Sequence, residues 1–215
     1  MNTINLLIVD DHPMMREALN TALADETDIN VIGEATNGLE AIAMVERLHP
    51  DVILMDLLMP GMDGLEAITR LVEADPSVKV LVVTSLEDED KIMAAVQAGA
   101  LGYFPKTAPR TFLLEAIRKV ADGVPYLPAG IAKKLFSGLR SMKTIRRAVD
   151  EPLTARQEEI LSLLGEGKSD SEIANTLQLS EATVRSHVHN ILQRLGLETR
   201  IQIMAYANGR RQSEE

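Results

Sequence analysis

Short runs of branched aliphatic residues alternate with longer amphipathic segments through the first 125 residues of the chain. The runs are rich in Val, Ile and Leu and predict buried strands at residues 4–9, 29–35, 51–55, 78–84 and 101–104. Between and after them, apolar positions recur with helical spacing over residues 13–25, 38–48, 64–74, 88–98 and 109–122. This strict alternation predicts an α/β domain with a doubly wound, parallel, five-stranded sheet.

Residues 152–215 follow a different pattern, in which helical spacing continues and strand-like runs are missing. Capping boxes, in which Ser or Thr precedes Glu or Gln by three positions, predict helix starts at Thr154, Ser169 and Thr199, and Ser180 makes a simpler cap. These signals predict a small all-α domain of four helices. The helix after Ser180 carries one apolar stripe and one stripe of polar donors, and a short helix and a tight turn precede it. That arrangement is typical of a helix-turn-helix that enters a DNA major groove.

The two predicted domains are joined by a basic segment. We place the first domain at residues 1–125, the linker at 126–151 and the second domain at 152–215. Within residues 128–149 the apolar positions recur at steps of three and four, and Lys and Arg occupy the opposite face, so the linker is predicted to be partly helical. It either docks against a domain and adds phosphate contacts, or serves as a solvated spacer.

Composition narrows the class of protein. The chain has 215 residues, of which 46% are hydrophobic and only 3% aromatic, so aliphatic side chains must fill two modest cores. It has no cysteine, which excludes a disulfide scaffold and a thiolate zinc site and fits a reducing compartment. No apolar run approaches the roughly 18 residues of a membrane span. We therefore expect a cytoplasmic protein without a membrane partner.

The net charge of −10 is distributed unevenly. Residues 1–128 hold 21 acidic and 9 basic residues, residues 129–150 hold 1 and 6, and residues 151–215 hold 10 and 7. The first block disfavours nucleic-acid binding and is compatible with binding a cation. The last block keeps a usable positive face if Lys168, Arg185, Arg194 and Arg200 point toward DNA. We still expect a monomer to bind weakly, so that binding needs a dimer on two half-sites.

Polar and charged residues stand where the predicted strands end. Asp10 and Asp11 follow the first strand, Asp56 follows the third, Thr84 closes the fourth, and Lys106 follows the fifth. The carboxyl ends of the strands form the working edge of such a sheet, so these groups are expected to converge. Clustered carboxylates repel unless a hard cation lies among them, and oxygen ligands suit Mg²⁺. A carboxylate nucleophile with these neighbours predicts formation of an aspartyl phosphate on Asp56.

The motifs VDDHP, MDLLMPGMDG, VTS and FPK resemble the signature set of bacterial response-regulator receiver domains, over residues 1 to about 125. The resemblance implies a flavodoxin-like fold in which Asp56 is the phosphoacceptor. It implies that Mg²⁺ is held by Asp10, Asp11 and Asp56 and by the main-chain carbonyl of Leu58. It also implies switch and phosphate-binding roles for three residues: Thr84, Tyr103 and Lys106.

Residues 152 to about 207 resemble the LuxR-type DNA-binding domain of the NarL/FixJ response regulators, since the order LT-R-E-IL, EIA, LS-TV-H and R is retained. The resemblance implies that base edges or adjacent phosphates are contacted by Arg185, Ser186 and His189. It implies contacts to the DNA backbone for Lys168, Ser169 and Thr183. Arg185 is the leading base reader, because arginine bonded to guanine is the commonest specific contact. The helix expected at 199–208 resembles the dimerisation helix of that family.

Together the two resemblances imply a transcription regulator and not an enzyme. A sensor histidine kinase would phosphorylate Asp56, and the chain would then form a homodimer on double-stranded DNA. An aspartyl-phosphate phosphotransferase is an alternative, although such an enzyme would want a second acid where Leu58 stands. A LuxR-type regulator gated by a small molecule is another, although it would need an apolar pocket. A flavin-binding carrier is disfavoured by the acidic crevice.

Overall fold

The computed structural model describes residues 3–85, 88–128, 130–131 and 153–211. Within these ranges the chain forms an amino-terminal α/β domain and a carboxy-terminal helical domain, each with its own hydrophobic core. The predicted linker helix falls mainly on residues 132–152, outside the described residues.

The amino-terminal domain is built on one parallel sheet, which confirms the predicted fold class. Its strands lie in the order β2-β1-β3-β4-β5. Their bounds are β1 (Ile4–Val9), β2 (Ile29–Ala35), β3 (Val52–Met55), β4 (Val80–Thr84) and β5 (Gly102–Pro105). The order reverses at β1, which pairs with β2 on one side and with β3 on the other. Ligand sites of such sheets lie beside this reversal, at the carboxyl ends of the strands.

Five helices cover the two faces of the sheet. They are α1 (Pro13–Leu23), α2 (Gly38–Leu48), α3 (Gly64–Ala74), α4 (Glu89–Gln97) and α5 (Arg110–Ala121). The core between helices and sheet is aliphatic, as the low aromatic content requires, and β3 and β4 are buried along their whole lengths. Strand β4 begins two residues later than the hydrophobic run predicts, because the Val78 amide donates to the Asp75 carbonyl in a turn. Lys79 therefore stands immediately before the amino end of β4.

The carboxy-terminal domain contains the four predicted helices. They are α6 (Ala155–Gly165), α7 (Asp170–Leu177), α8 (Glu181–Leu195) and α9 (Arg200–Arg211). Thr154 and Ser169 form the predicted capping boxes with Gln157 and Glu172. Helix α8 ends at Gly196, whose φ of 63° favours glycine. Among the described residues, no helix combines the length and the apolar character that crossing a membrane requires.

Candidate functional site

An acidic pocket lies at the carboxyl ends of β1 and β3. Asp10 and Asp56 are almost completely buried, with 1% and 4% of their surface exposed. Asp11 and His12 complete the cluster, in which one ligand atom from each of the four residues lies within 4.8 Å of the others. The sequence prediction that Asp10, Asp11 and Asp56 converge therefore agrees with the geometry, whereas His12 was not expected among the donors.

Lys106 holds the two buried carboxylates together. Its Nζ lies 2.6 Å from Asp10 Oδ2 and 2.6 Å from Asp56 Oδ2. Burial disfavours the ammonium form, but the hydrogen bonds to Asp10 and Asp56 outweigh burial and raise the pKa of Lys106. The lysine is therefore charged at neutral pH, and it partly neutralises a site that still carries excess negative charge.

The donor set of this pocket suits a hard divalent cation. Three carboxylates offer oxygen ligands, and Asp11 keeps 26% of its side chain exposed, which leaves a side of the pocket open to water. Mg²⁺ prefers such oxygen ligands and retains several waters. The Leu58 amide donates to Asp56 Oδ1 at 3.3 Å, so the backbone of Leu58 lies beside the pocket.

The two predicted switch residues lie on the strands next to the pocket. Thr84 is completely buried at the end of β4, and its carbonyl accepts a hydrogen bond from the Lys106 amide at 3.0 Å. Tyr103 lies one strand further, with only 6% of its surface exposed, and its amide donates to the Tyr126 carbonyl. The threonine is thus joined to the pocket through the backbone of Lys106, while the tyrosine belongs to the hydrophobic core.

Gly64 supports the backbone of Asp56 and was not singled out in the sequence. A Cβ built at this position would lie 2.0 Å from the carbonyl oxygen of Asp56. The absence of a side chain lets the start of α3 pack directly against the backbone of Asp56 and Leu57. An Asp-Gly pair at the start of a helix could have marked this position in the sequence. Asp63 caps α3 by accepting a hydrogen bond from the Glu66 amide, and Gly64 is the next residue.

The carboxy-terminal domain contains the predicted helix-turn-helix. Helix α7 ends at Gln178, whose φ of 53° makes the tight turn, and Ser180 caps α8 through the amide of Thr183. The apolar stripe of α8 is buried in the domain core: Val184, Val188, Ile191 and Leu192. The other side carries the polar residues that the sequence assigned to DNA. Helix α8 therefore has the two faces expected of a recognition helix.

The six candidate DNA contacts differ in their surroundings. Ser186 and Thr183 lie near the exposed start of α8, where the Ser186 hydroxyl donates to the Ala182 carbonyl. His189 contacts Gln193 at 3.0 Å between Nε2 atoms. Lys168 lies 3.7 Å from Glu172, and Ser169 is a buried cap, with its hydroxyl accepting the Glu172 amide.

Arg185 faces the amino-terminal domain. Its guanidinium lies 4.0 Å from Asp51, and its Nε is buried without a hydrogen-bond partner. Arg185 and His189 line a small crevice between the domains together with Lys79 and Arg200. Arg200, which the charge pattern would allow to point toward DNA, instead bonds to Asp170 and to the Gly123 carbonyl. In this arrangement the leading base reader is directed toward the amino-terminal domain and its side chain stays 35% exposed.

Two family models match the chain. A model of the response regulator receiver domain matches residues 6–118, and a model of the LuxR family of bacterial regulatory proteins matches residues 151–207. The first matched segment contains the acidic pocket and the second contains the helix-turn-helix.

Individual proteins are similar to the chain over nearly its whole length. Transcriptional regulatory protein LiaR of Bacillus subtilis (strain 168) is 41% identical over 205 residues, which cover 95% of this chain and 97% of LiaR. Among solved structures, response regulator ChrA of a heme-sensing two-component system is 33% identical, with a TM-score of 0.53 and coverage of 98% and 99%. A structure of two RcsB dimers bound to two parallel DNAs is 27% identical, with a TM-score of 0.56 and coverage of 96% and 98%.

Proposed function

This chain belongs to the response regulators that join a receiver domain to a LuxR-type DNA-binding domain, and we propose that phosphorylation of Asp56 controls its binding to DNA. The observation that carries the proposal is the pairing of Asp56 with Lys106 at 2.6 Å inside a pocket of further carboxylates. The receiver domain corresponds to residues 1–125 and the DNA-binding domain to residues 152–215, with a linker at 126–151.

In the proposed reaction, a carboxylate oxygen of Asp56 attacks phosphorus. The new O–P bond forms as the bond from phosphorus to the histidine nitrogen of a sensor kinase breaks, and that nitrogen is then free to take up a proton. Lys106 and Thr84 stabilise the phosphoryl oxygens, the lysine by charge and the threonine by its hydroxyl. Tyr103 and Thr84 report the new dianion to the receiver surface.

Mg²⁺ is the proposed cofactor, because the oxygen-rich donor set fits it. Asp10, Asp11, Asp56 and the carbonyl of Leu58 would hold the ion. When bound, Mg²⁺ supplies positive charge that offsets repulsion between the carboxylates and the incoming phosphoryl group. Lys106 bonds to Asp10 and Asp56 in the structure, and it performs part of the same neutralisation from the protein side.

The phosphoryl group is proposed to act as a signal, and not as an intermediate of an enzyme. Leu58 stands two residues after Asp56, where a catalytic phosphotransferase would want a second acid. The residue is 51% exposed, and its side chain offers no polar group to orient an attacking water. The phosphorylated state is therefore expected to persist long enough to be read by the DNA-binding domain.

The proposed partner of the carboxy-terminal domain is double-stranded DNA, read in its major groove within the bacterial cytoplasm. Arg185 would bind a base edge, with Ser186 and His189 beside it on α8. Further contacts to the DNA backbone would come from Lys168, Ser169 and Thr183. The RcsB structure, with dimers on DNA, supports a homodimer as the binding form. Dimerisation after phosphorylation would add the second half-site that a weakly charged monomer needs.

A gel-shift assay on the DNA upstream of the protein's own gene tests this function. The unmodified chain, with Mg²⁺ and a small phosphodonor, should bind more tightly than the chain without the donor. Asp56→Asn removes the nucleophilic oxygen and should abolish the effect of the donor. Asp63→Asn, at a cap outside the pocket, is the control that should keep it. A donor effect that survives Asp56→Asn contradicts the assignment of the phosphoacceptor.

A further inference from the structure

A buried group of three charges joins the two domains. Asp170, at the start of α7, has only 1% of its surface exposed. Its Oδ1 lies 2.6 Å from the Arg200 guanidinium, and its Oδ2 lies 3.3 Å from Lys79 Nζ. The side chains of Lys79 and Arg200 are 7% and 10% exposed. Lys79 belongs to the receiver domain and the other two belong to the DNA-binding domain, so this ion triad spans the interface.

Backbone contacts surround the ion triad. The Arg200 Nε donates to the Gly123 carbonyl at 2.8 Å, and the Asp170 amide donates to the Asp122 carbonyl at 2.9 Å. Both acceptors follow α5 of the receiver domain. Ile201, the next residue of α9, packs into the receiver core. The first turns of α7 and α9 are therefore docked on the same receiver surface.

This docking brings residues from both parts of the domain that would engage DNA against the receiver domain. Arg185 on α8 faces Asp51 of the receiver domain, at 4.0 Å. Arg200 and Ile201 occupy the start of α9, the helix that resembles the dimerisation helix of the family. A chain in this arrangement cannot present Arg185 to a base while Arg185 remains against the receiver domain.

The charge balance makes Asp170 the critical member. One carboxylate serves two cations, and the crevice beside it also holds Arg185. Removing the carboxylate would leave Lys79 and Arg200 buried together without the anion that bonds to both, an arrangement far costlier than solvated charges. Removing Lys79 instead would leave Asp170 paired with Arg200 inside the DNA-binding domain, and the triad would lose its only side chain from the receiver domain.

We propose that the ion triad of Lys79, Asp170 and Arg200 is a latch that keeps the recognition helix and the start of α9 against the receiver domain. This inference rests on the proposed function only for its consequence, the restraint of DNA binding. The latch lies at the amino end of β4, whereas Thr84 and the phosphoacceptor pocket lie at its carboxyl end. Five residues of strand separate the two, about 17 Å. A phosphoryl group in the pocket would therefore lie too far away to touch the latch.

The distance between the domains tests the latch directly. Because the chain has no cysteine, spin labels can be attached at two introduced cysteines alone, Glu46→Cys on exposed α2 and Asn175→Cys on exposed α7. Pulsed electron paramagnetic resonance on the full chain, without DNA or phosphodonor, should give one narrow distance peak. Asp170→Asn in the labelled chain should spread this peak into a broad, longer distribution.

Two further variants separate the latch from general damage to α7. Glu172→Gln changes an exposed acid of the same first turn and should leave the peak narrow. Lys79→Met, in the other domain, removes the receiver's member of the triad and should also broaden the peak. A peak that stays narrow for Asp170→Asn, or for Lys79→Met, would overturn the latch. These outcomes do not depend on Asp56, so a failed phosphorylation test leaves them readable.

Discussion

The two ends of the receiver sheet each bury a lysine, and the two lysines respond in opposite ways. Lys106, at the carboxyl ends of the strands, and Lys79, at the amino end of β4, have side chains 8% and 7% exposed. Burial disfavours the charge of both. Two carboxylates bonded to Lys106 raise its pKa above the usual value, whereas burial, with Arg185 and Arg200 nearby, lowers the pKa of Lys79 despite Asp170.

The difference shows that the charged groups around a buried lysine, and not burial alone, determine whether its pKa is raised or lowered. The Lys106 end has carboxylates in excess, which is the charge balance that the proposed binding of a cation and a phosphoryl group requires. At the Lys79 end one buried carboxylate, Asp170, bonds to two cations from different domains, so this end is sensitive to loss of that carboxylate.

Gly64→Ala should be the most damaging single change at the phosphoacceptor end. The new Cβ would lie 2.0 Å from the Asp56 carbonyl oxygen, so backbone must move. We expect a loss of more than about 3 kcal/mol in the free energy of unfolding, measured by urea denaturation. Gly61→Ala is the control. A φ of 78° would strain an alanine there, but the new Cβ would have no neighbouring atom within 4 Å. Equal losses for both variants would refute the close packing at Asp56.

Lys106→Met should destabilise the receiver domain by about 2 kcal/mol, because Asp10 and Asp56 would face each other without a cation. Since added Mg²⁺ would replace the missing charge, the melting temperature of this variant should rise more with Mg²⁺ than that of the unmodified chain. Calorimetry with Mg²⁺ and with EDTA measures both effects. If the variant melts at the same temperature as the unmodified chain in EDTA, then repulsion between the carboxylates of the pocket does not destabilise the fold.

Lys79→Met should change stability by less than about 1 kcal/mol in either direction, although Lys79 is as buried as Lys106. Its lowered pKa shows that the charged form is disfavoured there, and methionine keeps the aliphatic packing. Urea denaturation of the two lysine variants under identical conditions makes the comparison. A loss as large as that of Lys106→Met would mean that the charge of Lys79 stabilises the fold more than its pKa indicates.

Arg118→Met removes the cation of an ion-pair cluster that is screened by solvent. It should lower the free energy of unfolding by about 0.5 kcal/mol at neutral pH. The hydrogen bond from Arg118 holds the pKa of Asp28 below its usual value of 3.8. A lowered carboxyl pKa stabilises the fold above the usual pKa, and the benefit is lost as pH falls through the folded-state pKa. The stability difference between the variant and the unmodified chain should therefore shrink in acid. Arg70→Met, on the exposed Glu66 pair, should show little effect at any pH.

Much of the receiver domain could be predicted from the sequence because its signals are local. Aliphatic runs predicted the strands. Acidic residues directly after these runs indicated the pocket, because the carboxyl ends of parallel strands lie at the same edge of the sheet. The close packing of Gly64 against the Asp56 carbonyl could not be predicted, because it depends on the path of the backbone in three dimensions. The ion triad could not be predicted, because Lys79 and Asp170 are distant along the chain and each resembles an ordinary surface residue. For the same reason the charge pattern left open that Arg200 turns toward Asp170.

Mass spectrometry of the chain after treatment with Mg²⁺ and a small phosphodonor shows whether Asp56 accepts a phosphoryl group. The chain should gain the mass of one phosphoryl group, peptide mapping should locate it on Asp56, and EDTA or Asp56→Asn should prevent the gain. If the chain gains no phosphoryl group, or gains it equally well after Asp56→Asn, then Asp56 is not the phosphoacceptor.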